Sequence, residues 1–253
     1  MREFDLIMFM GQSNMAGRGA VCEKWPQPAV ECNRNAGYEF RAISDPTRLY
    51  YIEEPFGVNE NNPNGIIEPG MKTGSLVSAF VNAYYETAGV PVIAVSASKG
   101  GSKIASWQGN DDYLTDAIER FEKAEEYCRD NDIDIRHRFM VWCQGESDGD
   151  AGTSAEEYRR LFLNMLDKML AAGIEKCFLI IIGEYNGEGD VDYSIIRNVQ
   201  LGIAEENEDV IPASNDFYKM KEQGLMKDAF HYYQQAYNEV GDIAGKQAGI
   251  YVK

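Results

Sequence analysis

The chain has 253 residues, 44% of them hydrophobic and 26% charged, an ordinary globular composition with enough length for one α/β domain and a large core. Forty-one acidic residues against 24 basic ones leave a net charge of -17, which argues against a nucleic-acid partner, since phosphate binding needs clustered Lys and Arg. Five cysteines (Cys22, Cys32, Cys128, Cys143, Cys177) without a C-x-x-C pair, and only two histidines, His137 and His231, point away from a disulfide framework, a zinc site or a histidine-rich metal centre. Buried thiols in a reducing compartment are the simpler reading, with a Cys22–Cys32 bridge left open.

In chain order, the first apolar run is 4–10 (FDLIMFM), entered directly from Met1-Arg2-Glu3 without a signal-type hydrophobic region. No window approaches a membrane span. The chain as given therefore reads as cytoplasmic, although a secreted chain stripped of its leader would begin the same way. After the run comes Gly11-Gln12-Ser13-Asn14-Met15-Ala16-Gly17. Residues 20–74 follow, rich in Asn, Pro, Gly and Tyr and lacking any sustained period. Such a stretch either shapes a functional pocket or packs as an excursion over the sheet edge.

A helix is expected near 75–88, a buried strand at 91–97 (PVIAVSA), and then the turn Ser98-Lys99-Gly100-Gly101-Ser102. A helix near 113–130 leads to a strand at 138–143 (RFMVWC) and to Gln144-Gly145-Glu146-Ser147-Asp148. Ser154 with Glu157 forms a capping-box signature for a helix over 154–172. A strand at 177–182, a helix near 192–207, a strand at 209–213 and a last helix near 233–248 complete the pattern. Apolar runs alternating with helices predict a five-stranded parallel sheet covered on both faces, in one domain spanning 1–253.

Ligands of such sheets sit beyond the carboxyl ends of the strands. The three polar, glycine-bearing turns after strands one, two and three should therefore converge on one edge. A serine nucleophile there needs a base, and the base needs a group to fix its tautomer. His137 enters its strand at the amino end, roughly 20 Å from that edge. His231 lies in a polar loop after the fifth strand with Asp228 three residues before it, so Ser13, Asp228 and His231 form the candidate triad. Taken singly, each motif has a structural explanation as a cap or a turn; their convergence is what favours a site. Neither Gly-x-Ser-x-Gly nor a phosphate-binding Gly-x-x-x-x-Gly-Lys is present.

The stretches Met10–Gly17, Lys99-Gly100-Gly101, Trp142–Asp148 and Asp228-Ala229-Phe230-His231 resemble the SGNH (GDSL-like) hydrolases. The resemblance is closest to the branch of carbohydrate acetylesterases and sialic acid 9-O-acetylesterase (SASA) domains. It implies a three-layer α/β/α sandwich of flavodoxin-like type and hydrolysis of O-acetyl esters on a sugar or oligosaccharide without cofactor or metal. In that scheme Ser13 attacks, His231 moves the proton and Asp228 orients His231. The oxyanion hole is expected from the backbone of Ser13, that of Gly100 or Gly101, and the side-chain amide of Gln144. Gln12, Asn14 and Glu146 are expected to hold the surrounding loops. Cys143 departs from the histidine that relatives commonly carry there.

Trp25, Tyr38, Arg41, Tyr50 and Tyr51, together with Lys103 and Trp107, are candidates for a sugar-binding wall. A broader esterase or lysophospholipase, a catalytically silent carbohydrate-binding domain and a flavodoxin-type nucleotide binder are the competing readings. The intact Ser13, Asp228, His231 set speaks against a silent binding domain, and the loop after the first strand gives little support to a nucleotide binder.

Overall fold

The computed structural model describes residues 3–110 and 113–253. Strand β1 (Glu3–Gly11) runs through the middle of the sheet and ends at a four-residue helix, α1 (Ser13–Ala16). Strands β2 (Gly37–Arg41) and β3 (Asp45–Tyr51) follow, then helix α2 (Val77–Ala88) and β4 (Val92–Ser98). Helix α3 (Tyr113–Asp130), β5 (Asp134–Cys143), α4 (Glu146–Ala151) and α5 (Ala155–Ala172) come next. The chain closes with β6 (Lys176–Ile180), α6 (Ser194–Glu206), β7 (Val210–Ser214) and α7 (Gln234–Tyr251).

The sheet has seven strands in the order β3-β2-β4-β1-β5-β6-β7, parallel except for β3, which pairs antiparallel with β2. All five expected strands are present, but the five-stranded count needs correction. The two extra strands come from the segment read as irregular. β3 is mostly exposed and carries Asp45 and Pro46, an edge strand whose composition gives no alternating signal.

Strict alternation along β1 explains the layers. Leu6, Met8 and Met10 point into a core shared with Phe121 of α3 and with Phe162 and Met165 of α5. Ile7 and Phe9 point into the opposite core with Phe80 of α2 and with Tyr237 and Val240 of α7. Both faces are thus dry, as a parallel sheet requires, and the result is the expected three-layer sandwich. Ser154 caps α5, its hydroxyl accepting the Glu157 N–H at 3.2 Å. Cys22 and Cys32 are free thiols, so the bridge does not form. Among the described residues no helix is long and apolar enough to cross a membrane.

Candidate active site

The central strands β4, β1 and β5 end level with one another: Gly11 lies beside Ser98 on one side and Cys143 on the other. The chain then turns sharply, and Gly11 (φ 134°) is required there because a Cβ would stand 2.0 Å from the Cys143 carbonyl oxygen. Backbone bonds stitch the edge together, from Gln12 N–H to Cys143 O (2.9 Å) and from Lys99 N–H to Gly11 O (2.9 Å). Gln12 Oε1 accepts the N–H groups of Gly145 (3.1 Å) and Ser147 (3.3 Å). Ser13 is therefore held between two neighbouring strand-end turns as the first residue of α1. In that position its N–H has no intrahelical acceptor.

The loop before α7 brings His231 over Ser13, with Nε2 3.0 Å from the Ser13 Oγ. Its Nδ1 is 2.9 Å from Asp228 Oδ2. Asp228 Oδ1 accepts the N–H groups of Phe230 (3.0 Å) and His231 (2.7 Å), so one carboxylate both folds the turn and orients the ring. Burial lowers the His231 pKa and outweighs the raising effect of Asp228, leaving a neutral imidazole at pH 7. For Asp228, burial raises the pKa, but the two N–H donors and His231 together bring it below the usual carboxylate range. His137 sits at the far end of β5, 2.8 Å from Glu175.

Asn14 anchors the arrangement from beneath. Its Nδ2 donates to Glu146 Oε1 (2.5 Å) and to the Phe230 carbonyl (3.0 Å), while its Oδ1 accepts the Tyr237 hydroxyl (2.6 Å). Glu146 Oε2 is buried without a hydrogen-bond partner among the described residues, and burial pushes this carboxyl up to about 7.

A cleft of about 490 Å³ opens above Ser13 and His231, with Gln12, Gly100, Gly101, Glu146 and Phe230 also on its lining. The N–H groups of Ser13 and Gly101 have no partner among the described residues. Two expected oxyanion donors are not free. The Gly100 N–H is bonded to Glu68 Oε1 at 2.7 Å. Gln144 is fully buried and spends its amide on the Ser102 carbonyl (3.1 Å) and Asp148 Oδ2 (2.5 Å). Its Oε1 accepts the Tyr158 hydroxyl at 3.1 Å. It braces two turns against each other instead of facing the cleft. The Cys143 side chain points into the core between the sheet and α7, so its departure from histidine is accommodated away from Ser13.

The aromatic wall is elsewhere. Tyr38 stacks on Tyr51 and Arg41 on Tyr50 along the β2–β3 edge, Trp25 bonds to the Gly224 carbonyl, and Trp107 is core. Lys103, at the start of a short 3-10 turn, does not line the cleft. The wall is instead Ile67, Pro69, Met71 and Phe230, with Arg18, Glu68 and Lys99 beside it. Arg18 lies immediately after the Ser13 motif and was readable as a neighbour. Glu68 had no local signal, because a lone Glu in an aperiodic segment looks like any surface carboxylate.

The family model of carbohydrate esterases described as sialic acid-specific acetylesterase (SASA) matches residues 3–248. A probable carbohydrate esterase of Arabidopsis thaliana is 27% identical over 214 residues, covering 78% of this chain and 75% of that protein. The solved structure of the same Arabidopsis protein superposes with a TM-score of 0.68 at 22% identity, covering 98% of each chain. A carbohydrate acetylesterase from Xanthomonas citri superposes with a TM-score of 0.55 at 17% identity, over 97% of this chain and 57% of that one.

Proposed function

This chain belongs to the SASA family of carbohydrate esterases, and from that premise we propose that Ser13, His231 and Asp228 hydrolyse O-acetyl esters of sugars or oligosaccharides through an acetyl-enzyme. The observation that carries the reading is the relay from Asp228 Oδ2 through His231 to Ser13 Oγ, at 2.9 and 3.0 Å, on the floor of an open cleft. Neutral His231 takes the Ser13 proton at Nε2 as Oγ attacks the acetyl carbonyl. The unpartnered N–H groups of Ser13 and Gly101 receive the developing oxyanion, and such donors contribute about 2.7–4 kcal/mol each in comparable sites. As the intermediate collapses, His231 Nε2 returns the proton to the departing sugar oxygen. Water then repeats the sequence on the acetyl-Ser13 ester, releasing acetate and restoring the serine.

The test is acetate release from p-nitrophenyl acetate and from a panel of acetylated sugars, with covalent labelling of Ser13 by an organophosphonate. Ser13→Ala abolishes both if the reading holds; full activity in that variant would sink it. The exposed apolar residues Ile67 and Met71 beside the cleft favour one second reading, a broader esterase. Rates that climb with acyl-chain length would support it.

A further inference from the structure

Glu68 is an unexpected residue to find at this edge. It belongs to the segment after β3, is only 6% exposed, and divides its carboxylate among three partners. Oε1 accepts the Gly100 N–H at 2.7 Å and lies 3.4 Å from Lys99 Nζ, while Oε2 pairs with Arg18. Arg18 in turn donates to the Gly17 carbonyl at 3.2 Å. The carboxylate thus ties the turn after β4 to the segment that carries Ser13. With both oxygens engaged, it is not placed to give a proton to a leaving group.

The base under Glu68 is firm. Its N–H is held by Asn61 Oδ1 at 2.7 Å, and Asp116 of α3 accepts the Ile66 N–H at 2.8 Å and the Asn62 amide at 2.8 Å. Asp116 is itself locked by fully buried Arg120 at 2.9 Å. Carboxylate bonds therefore hold both ends of this stretch, Asp116 on α3 to the loop and Glu68 to the Gly-Gly turn, with the neutral Asn61 bond between them. Bonds to a charged partner are about twice as strong as neutral ones. A Cβ at Gly100 would lie 2.4 Å from Arg18 Nη2 and 2.7 Å from Glu68 Oε1, so it would push both of these side-chain ends aside. Gly101, by contrast, has open space around it and a left-handed φ of 70°. Ser102 closes this turn at its ends, its N–H (3.3 Å) and hydroxyl (2.7 Å) both donating to the Lys99 carbonyl. Glu68 adds the bond that fixes the Gly100 peptide between them; without it two flexible glycines remain between the pinned ends.

We propose that Glu68 is the positioning residue of the oxyanion turn: by capturing the Gly100 N–H it fixes the turn so that the Gly101 N–H is the donor offered to the cleft. This rests on the esterase reading of the site. Losing an oxyanion donor costs about 10²–10³ in kcat; a donor left in place but free to swing forfeits part of that.

The experiment uses the full chain and p-nitrophenyl acetate, with circular dichroism and melting curves for every variant. Glu68→Ala lowers kcat by about 10–100-fold, a larger effect than any on KM. Any shift of the acid limb of the pH profile is downward, because Arg18 lowers the His231 pKa and loses its counter-ion. Glu68→Gln, which keeps an acceptor for Gly100, recovers most of the loss. Gly100→Ala displaces the carboxylate and lowers kcat at least tenfold, and joining it to Glu68→Ala adds little, since both act through one contact. Gly100→Ala within about twofold of wild type overturns the proposal even if Glu68→Ala fails to fold, as does a Glu68→Gln variant no better than a folded Glu68→Ala. Should wild type release no acetate from any ester, the esterase reading falls and takes this one with it. Should wild type be active and Ser13→Ala dead while these variants match wild type, only the role of Glu68 falls.

Discussion

Replacing Asp228 by Asn separates the orienting role of this residue from its role in folding the loop. The amide oxygen of the Asp228→Asn variant can still accept the Phe230 and His231 N–H groups that Asp228 Oδ1 now holds at 3.0 and 2.7 Å. The turn therefore survives. What changes is the atom 2.9 Å from His231 Nδ1: an acceptor oxygen becomes an NH₂ donor. The imidazole then carries its proton on Nε2, pointing it at Ser13 Oγ, and can no longer remove the serine proton. In a buried triad this tautomer error costs about 10⁴ in kcat, the handicap known for the equivalent change in chymotrypsin-type enzymes. Here the Asp228 side chain is 43% exposed, so water can compete for Nδ1. The expected loss is smaller, about 10²–10³-fold, or about 3–4 kcal/mol of transition-state stabilisation. Steady-state kinetics on p-nitrophenyl acetate read it directly, with Tm as the control for the loop. The surviving activity should also persist to lower pH, because Asp228 raises the His231 pKa and its charge is gone. A folded variant within about tenfold of wild type would refute the argument, since it would mean that Nδ1 is oriented by something other than Asp228.

Two further outcomes follow from the electrostatics. On the proposed mechanism neutral His231 is the active form, and its pKa lies below the ordinary 6.5, so wild-type kcat/KM should be at full value by pH 7 and fall with a midpoint below 6.5. A midpoint above 6.5 would show that a different group limits the rate. Glu146 is pushed up from 4.5 to about 7 by burial. A carboxyl whose folded pKa is raised binds more protons folded than unfolded, so its contribution to stability declines as pH climbs from 4.5 through 7. Glu146→Gln keeps the acceptor for Asn14 and cannot ionise. Its Tm relative to wild type should accordingly be more favourable at pH 8.5 than at pH 5, each kcal/mol moving Tm by about 2–4 °C in a chain of this size. An equal offset at both pH values would count against an ionisable, buried Glu146.

Much of the molecule was legible in the chain itself, and for identifiable reasons. Buried parallel strands such as 4–10 must be apolar on both faces, so β1, β4, β5, β6 and β7 announce themselves as runs, and the helices between them by their period. Once those elements alternate, the edge at which Ser13 emerges follows, and so does the exclusion of His137 from it. Asp228 and His231, three residues apart, interact within one turn, so their pairing is a local property.

Other features belong to the tertiary structure alone. The β2–β3 edge is half exposed and has no reason to be apolar. Arg41, Tyr38, Tyr50 and Tyr51 looked like a ligand wall, yet they cover that edge. Gln144 occupies the right turn, but only the positions of Ser102, Asp148 and Tyr158 determine that its amide is already spent. Glu68 reaches Gly100 across 32 residues of sequence, and Asn14 reaches Glu146 across 132. Periodic burial is written residue by residue along the chain. Which donor remains free for a ligand depends on every acceptor that folding brings within about 3 Å, and that is decided only when distant segments meet.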